Sequence, residues 1–396
     1  TIDNPHNYLY YLATPPLLYG VIPRHLKAEG LNREGDGFRR IVVEKPFGYD
    51  LSSALELNRI YLDAFREEQI YRIDHFLGKE TVQNILALRF ANSVFEPLWN
   101  RNYIDYVEIT AVENMGIGTR GGFYDGVGTL RDMVQNHLAQ LLAVTAMEPP
   151  AAFDASGFRN EVVKVYQSLT PLTGEDIRHS VVRGQYMASE GRKGYREEEQ
   201  VPALSRTETY LAMRLELNNW RWGGVPFYIR TGKQMPTKVS EIVIHFKPAP
   251  YSLFRCEGGT CPVPNRLVIR IQPNEGIVLR LGMKKPGEGF EVLPMDMDFS
   301  YAELGRLPTE DAYARLIEDC IAGDPTLFIR SDAVESGWRF FDPILKYWQD
   351  VPECPLYGYP AGSWGPLEAD SLVARQGASW TNPCKNLTNT HLYCEL

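Results

Sequence analysis

Arg72-Ile73-Asp74-His75-Phe76-Leu77-Gly78-Lys79-Glu80 is the stretch on which the architecture turns. A β-type run, Glu68 to Ile73, leads into it, and a helical pattern, Thr81 to Phe90, leads out. The stretch therefore predicts a strand-to-helix junction that carries an acid, an imidazole and an ammonium within nine residues. The first N–H groups of a helix have no intrahelical partner, so a histidine and a lysine placed there make an anion site. The alternative is a solvated loop with an ordinary charge pair. Short motifs match by chance often enough that the surrounding chain must decide.

Upstream, strands and helices alternate. Asn7 to Leu12 predicts a strand ending at Thr14-Pro15-Pro16, followed by a short helix over Leu17 to Leu26. Phe38 to Glu44 predicts a second strand, with Lys45-Pro46-Phe47-Gly48 at its carboxyl end. Leu51 to Phe65 is helical by period, and Gln69 to Ile73 is the third strand. Alternation of this kind implies a partial Rossmann-like parallel sheet, whose ligands sit beyond the carboxyl ends of the strands. Pro16, Lys45, Asp74 and His75 all fall at that edge.

After residue 100 the pattern changes. Tyr106–Val112, Val181–Met187, Thr207–Leu217, Phe227–Arg230, Glu241–Phe246, Arg266–Gln272 and Gly276–Leu281 predict strands. Pro273-Asn274-Glu275-Gly276 joins two of them at hairpin distance. The expected class is α/β plus α+β: the small parallel sheet, then a large, mainly antiparallel sheet with helices on one face. Residues 1–73 and 74–396 are the expected domains. The Gly-, Pro- and Ser-rich tail after Pro355 is expected to lie over the surface as loops.

Composition narrows the function. The 396 residues carry a net charge of -9 and 44% hydrophobic residues, which fits a soluble globular protein and disfavours nucleic acid as a partner. No apolar run approaches the ~18 residues of a membrane span. Thr1 to His6 lacks both the basic start and the apolar core of a signal peptide. Cys256 and Cys261 are close together, but no second pair follows at metal-ligand spacing, so no metal site is expected. Six cysteines in this length suit a reducing cytoplasm.

Leu130 to Met147 predicts one long helix whose apolar stripe includes Leu130, Met133, Val134, Leu141 and Val144. At about 100° per residue, His137 falls within the stripe. An inward histidine is often only a hydrogen-bonded core residue. It is also the form a sheltered general base would take, given an acceptor on its other nitrogen to fix the tautomer. Asp74 and Asp132 are the candidate acceptors. Thr129-Leu130-Arg131-Asp132 fits a capping box, and Asp132 lies about 140° around an α-helix from His137, so Asp74 is geometrically better.

Gly116-Ile117-Gly118-Thr119-Arg120-Gly121 matches G-x-G-x-x-G, but further glycines delay the expected helix to Thr129, so a loop is expected there. Lys233, just after the Phe227–Arg230 strand, and Lys238 are ordinary solvated lysines by default. With Lys45, His75 and Lys79 they could also build one cationic site.

At this point the chain resembles the glucose-6-phosphate dehydrogenase family, from about Tyr8 to about Asp370. The most specific pieces are Glu44-Lys45-Pro46-Phe47-Gly48, Arg72 to Glu80, Arg131 to His137 and Arg270-Ile271-Gln272-Pro273-Asn274-Glu275. The resemblance implies oxidation of β-D-glucose 6-phosphate at C1 to the 1,5-lactone, with hydride transfer to NADP and no metal. It implies that His137 is the base and Asp74 its partner. His75, Lys79, Lys233 and Lys238 would serve the phosphate side, and Glu113 and Asp132 the sugar hydroxyls. Lys45 would lie between sugar and cofactor, with Pro16 and Tyr19 as further cofactor contacts. A homodimer or homotetramer built through the large sheet is implied as well.

Phe76 departs from the family's common Tyr, a loss of roughly 1 kcal/mol on the phosphate. Val239 and Val278 stand where members with a second, structural NADP site carry polar or charged groups. The family's opening strand, glycine-rich turn and helix do not match any part of this sequence, so the chain enters the pattern partway through the nucleotide domain. As it stands it is expected to bind cofactor weakly, and a longer natural chain is expected. A non-catalytic sugar-phosphate-binding subunit and a dehydrogenase for another aldose phosphate are the competing expectations.

Overall fold

The computed structural model describes residues 6–251, 253–256, 265–287, 289–301, 311–374 and 378–383. Cys261 and the first five residues lie outside the described residues. Packing divides the chain into two compact units. Thr1–Gln83, Leu130–Thr173 and Thr309–Pro352 form the first, and Asn84–Thr129, Gly174–Pro308 and Glu353–Leu396 form the second. Both are discontinuous in sequence, whereas a cut at residue 73 follows chain order alone.

The first unit holds a three-stranded parallel sheet: β1 (Tyr8–Leu12), β2 (Arg39–Val43) and β3 (Ile70–Arg72), in that order. In the central strand β2, Ile41, Val42 and Val43 are all buried, as expected of a parallel strand covered on both faces. The Leu51–Ala64 helix starts at Asp50, whose carboxylate accepts from Ser53 N at 2.7 Å while Ser53 Oγ accepts from Asp50 N at 3.1 Å. That reciprocal cap is worth about 1 kcal/mol. Two contacts fix the strand ends that matter below. Trp338 Nε1, on the Ser331–Asp350 helix, donates to Phe47 O at 3.0 Å and holds the turn after β2. Glu67 accepts from Arg72 at 2.7 Å and from Arg159 at 3.1 Å, which anchors β3 just before Asp74.

Among the described residues, the second unit is built on a ten-stranded mixed sheet. Its strands are β4 (Ile104–Val112), β5 (Val181–Met187), β6 (Tyr210–Glu216), β7 (Pro226–Gly232), β8 (Val239–Phe246), β9 (Arg255–Cys256), β10 (Arg266–Gln272), β11 (Gly276–Lys284), β12 (Glu291–Ser300) and β13 (Tyr357–Pro360). Their order is β13-β5-β6-β7-β4-β8-β10-β11-β12-β9. Neighbours are antiparallel except β4–β7, β5–β13 and β9–β12, so the expected class holds. No helix among the described residues is long and apolar enough to cross a membrane.

Two expectations fail here, and one strand, β12, was not foreseen. The tail after Pro355 is not a set of surface loops: it supplies β13, and Tyr359, Leu372, Val373 and Trp380 are buried in a core shared with Tyr186, Tyr210 and Tyr228. Its core residues, Tyr359, the adjacent Leu372 and Val373, and Trp380, are irregularly spaced, so no period announces them. Strand β12 escaped because Pro294 demotes it and because Met295, Met297 and Phe299 alternate with Asp296 and Asp298 on a strand exposed along most of its length. The Gly116–Gly121 segment is helical sooner than expected. A helix opens at Gly121 and runs to Thr129, with a non-helical Gly128 inside it (φ 72°, ψ 168°). A Cβ on Gly121 would lie 2.0 Å from Glu199 O, so close chain packing explains that glycine without a nucleotide.

Candidate active site

Strand β3 delivers Asp74, and the helical segment Leu130–Leu138 delivers His137. Both side chains are buried in the first unit. Asp74 Oδ1 lies 2.6 Å from His137 Nδ1 and accepts from Phe76 N at 3.0 Å. On the other side of the ring, Lys45 Nζ lies 2.9 Å from His137 Nε2. The same ammonium donates to Asp132 Oδ1 and to Asp132 O, each at 3.1 Å. An ammonium has donors only, so Nε2 faces it as an acceptor and the ring proton sits on Nδ1, donated to Asp74. This is the tautomer that a base acting through Nε2 requires.

The helix itself is the main correction at this site. Leu130 to Met147 is not one α-helix. Leu130–Leu138 is a π-helix, and the α-helix occupies Ala139–Ala146. In a π-helix the i→i+5 bond stacks residues five apart on one side. Asp132 and His137 are five apart, so they share a face instead of standing about 140° from each other. One Lys45 ammonium therefore reaches both. Periodicity could not reveal this, because a 3.6-residue repeat assumes the pitch it is used to detect.

Around this pair, aromatic rings set the spacing. Phe76 stacks on His137 with centroids 4.5 Å apart, and Lys79 Nζ lies 4.3 Å above the other ring partner, Phe76. His75 meets His137 edge-on at 4.6 Å and stacks on Tyr313 at 6.0 Å. Phe76 thus gives a buried platform to both the imidazole and the lysine. Glu44 accepts from the hydroxyl of Tyr11 and also engages Tyr313. Sequence reasoning missed Glu44, Tyr11 and Tyr313 as site residues. Glu44 stands within a quoted motif, but Tyr313 is some 240 positions away from His75, and nothing local marks it.

Burial raises the Asp74 carboxyl, but the His137 ring, its hydrogen bond and the Phe76 N–H outweigh this and hold it below its ordinary value. Burial lowers His75 to about 4, helped by His137, Lys79 and Lys45, with Asp74 opposing. Free His75 in the unfolded chain takes up a proton near pH 6.5, while the folded residue stays neutral down to about 4. Between those values the unfolded state binds more protons, so folded stability falls as pH falls. His75→Asn should flatten that dependence between pH 6.5 and 4, read from urea midpoints across the range; an unchanged slope would remove His75 as its source.

In the first unit, then, Lys45, Asp74, His75, Lys79, Asp132 and His137 come together. In the second, Glu113 and Lys233 form an ion pair just past the paired ends of β4 and β7, where Val112 lies beside Gly232. Lys238 is exposed, ahead of β8. Asp74, His75 and His137 each present a ligand atom within 4.8 Å of the others. Both ring nitrogens of His137 are already engaged, by Asp74 and by Lys45.

Pro16–Leu18 forms a turn directly after β1, with Leu17 exposed. Tyr19 is buried, and burial with Glu44, Tyr49 and Tyr313 raises its hydroxyl to about 12.

Two family models match the chain. That for the glucose-6-phosphate dehydrogenase NAD binding domain covers residues 2–84, and that for the glucose-6-phosphate dehydrogenase C-terminal domain covers residues 86–381. Glucose-6-phosphate 1-dehydrogenase of Aggregatibacter actinomycetemcomitans is 55% identical over 381 residues, spanning 95% of this chain and 76% of that protein. The Treponema pallidum counterpart is 50% identical over 395 residues, spanning 98% and 76%. A solved glucose-6-phosphate dehydrogenase in complex with its substrate glucose-6-phosphate superposes with a TM-score of 0.87 at 36% identity, spanning 94% of this chain and 76% of that one.

Proposed function

Because this chain belongs to the glucose-6-phosphate dehydrogenase family, we propose a division of that chemistry among its residues. The protein is an NADP-dependent oxidoreductase that converts D-glucose 6-phosphate to 6-phospho-D-glucono-1,5-lactone, the first step of the oxidative pentose phosphate pathway. The non-catalytic alternative is set aside, since the relatives at 50% identity and above are dehydrogenases by name.

His137 is the base. Its Nε2 lone pair takes the proton of the C1 hydroxyl, for which Lys45 must yield its place at 2.9 Å. Asp74 holds Nδ1–H throughout and stabilises the imidazolium that forms. Lys45, released from Nε2, remains beside Asp132 and the developing carbonyl oxygen. In the first unit, Asp132 takes a sugar hydroxyl and His75 and Lys79 take the phosphate. In the second, Glu113, Lys233 and Lys238 are the substrate contacts that the family resemblance supports. Pro16, Tyr19 and Lys45 line the cofactor side, and NADP, when bound, supplies the acceptor for the hydride leaving C1. Residues 1–73 serve the cofactor, and 74–396 serve the substrate and subunit assembly. The observation that carries this reading is the placement of the His137 ring between a carboxylate at Nδ1 and an ammonium at Nε2.

Assembly into a homodimer or homotetramer is supported by the large sheet, where Met283, Met295, Met297 and Phe299 are exposed on β11 and β12. Sedimentation gives the subunit number. A cytoplasmic location accords with the free thiols Cys320 and Cys354.

Lys79→Met tests the phosphate side. An ammonium–phosphate contact is a strong charge-assisted bond, so the affinity for glucose 6-phosphate should fall roughly 10- to 100-fold. Turnover of unphosphorylated glucose should stay unchanged. Unaltered affinity for glucose 6-phosphate would take Lys79 out of the site.

A further inference from the structure

Asp74 uses only one of its two carboxylate oxygens in the contacts described above. Oδ1 receives His137 Nδ1–H and Phe76 N–H, while Oδ2 is buried with no hydrogen-bond partner among the described residues. A buried carboxylate oxygen left alone costs about 1–3 kcal/mol, more for a charged group, so native proteins rarely leave one. Other buried polar atoms in the same unit share this fault, among them two phenols, those of Tyr61 and Tyr166. Tyr166 is almost wholly buried on the Ala155–Ser168 helix, and its hydroxyl also has no partner among the described residues. That helix packs against the Ala139–Ala146 helix, which continues directly from the segment bearing His137.

The two faults complement each other. The phenol is a donor and the carboxylate is acceptor-only, so each supplies what the other lacks. Of the two phenols it is Tyr166 that feels the Asp74 carboxylate, and its hydroxyl is held protonated first by burial and then by that charge. A phenol kept protonated at all working pH values is a permanent donor.

We propose that Tyr166 is a positioning residue for the dehydrogenase reaction: its hydroxyl serves the free Oδ2 of Asp74, through one buried water. Such a water typically makes about three hydrogen bonds to otherwise unpaired buried groups. The chain would run from Tyr166 through the water to Asp74 and on to His137. Tyr166 touches neither substrate nor cofactor in this scheme. It fixes the carboxylate plane and draws part of the negative charge away from the imidazole. The proposal rests on the assignment of His137 and Asp74 as base and partner.

The decisive variant is Tyr166→Phe, which keeps the ring and its packing and removes only the oxygen. Turnover should fall roughly 3- to 10-fold, the kinetic equivalent of one lost hydrogen bond, with the KM for glucose 6-phosphate unchanged. Without the donor the full carboxylate charge bears on His137. The acid limb of the kcat/KM profile, which reports the coupled pair, should then move to higher pH by about half a unit. A purely structural tyrosine would lower stability without moving that limb. An unmoved limb with unchanged kcat overturns the proposal, and so does an equal loss in both that tracks partial unfolding in a thermal melt. His137→Asn, assayed alongside, separates the two failures. If it retains turnover, the base assignment itself is wrong. If it is inactive while Tyr166→Phe behaves as wild type, only the role of Tyr166 is wrong.

Discussion

His137→Asn should lower turnover roughly 10²- to 10⁴-fold, the range spanned by general-base catalysis, while leaving glucose 6-phosphate binding nearly intact. Asparagine is close enough in size to occupy the buried place beside Phe76, and its amide can still donate to Asp74. It offers no basic lone pair where Nε2 stands against Lys45. The C1 hydroxyl would keep its position and lose its proton acceptor. The loss should therefore appear in kcat and persist at saturating substrate, with calorimetric affinity within a few-fold of wild type. Near-normal turnover would show that another group takes the proton, and a large loss of affinity would make His137 a binding residue.

Asp74→Asn should cost roughly 10²- to 10³-fold in kcat, less than the loss seen where such a change also reverses the tautomer. The reason lies in Oδ1. His137 Nδ1–H and Phe76 N–H both point at this one oxygen, so the amide of asparagine turns its carbonyl there and keeps the ring proton on Nδ1. What is lost is the negative charge that supports the imidazolium. With that support gone the ring is harder to protonate, so the acid limb of kcat/KM should move to lower pH, opposite to the shift expected for Tyr166→Phe. Combined with His137→Asn the losses should be strongly non-additive, because the carboxylate acts only through the ring. Additive losses would mean that Asp74 serves the reaction by another route.

Much of the fold is legible locally. Strands β1 to β3 and the Leu51–Ala64 helix follow from alternation, period and caps, because a parallel sheet with crossovers buries consecutive residues such as Ile41 to Val43. Strands β5 and β10 have the bounds that their residue patterns predict. The reach of local pattern ends where burial is not periodic. Trp380 and Tyr359 are core residues inside a Gly- and Pro-rich tail, and β12 exposes the residues that pattern would bury. The angular separation of Asp132 and His137 drawn from a 3.6-residue pitch fails because their helix is of another kind.

The sequence by itself determined the reactive inventory and its order: a carboxylate and a histidine after β3, a lysine after β2, and an inward histidine on a later helix. These are local properties, set by side-chain chemistry and by which backbone conformation each short run prefers. Tertiary packing alone makes Lys45 bridge Asp132 and His137, puts the two on one π-helical face, and buries Tyr166 with its hydroxyl unpaired among the described residues. Helix pitch and contacts across scores of residues depend on what the whole core requires, and the energy that selects them is shared among distant side chains rather than carried by any one segment.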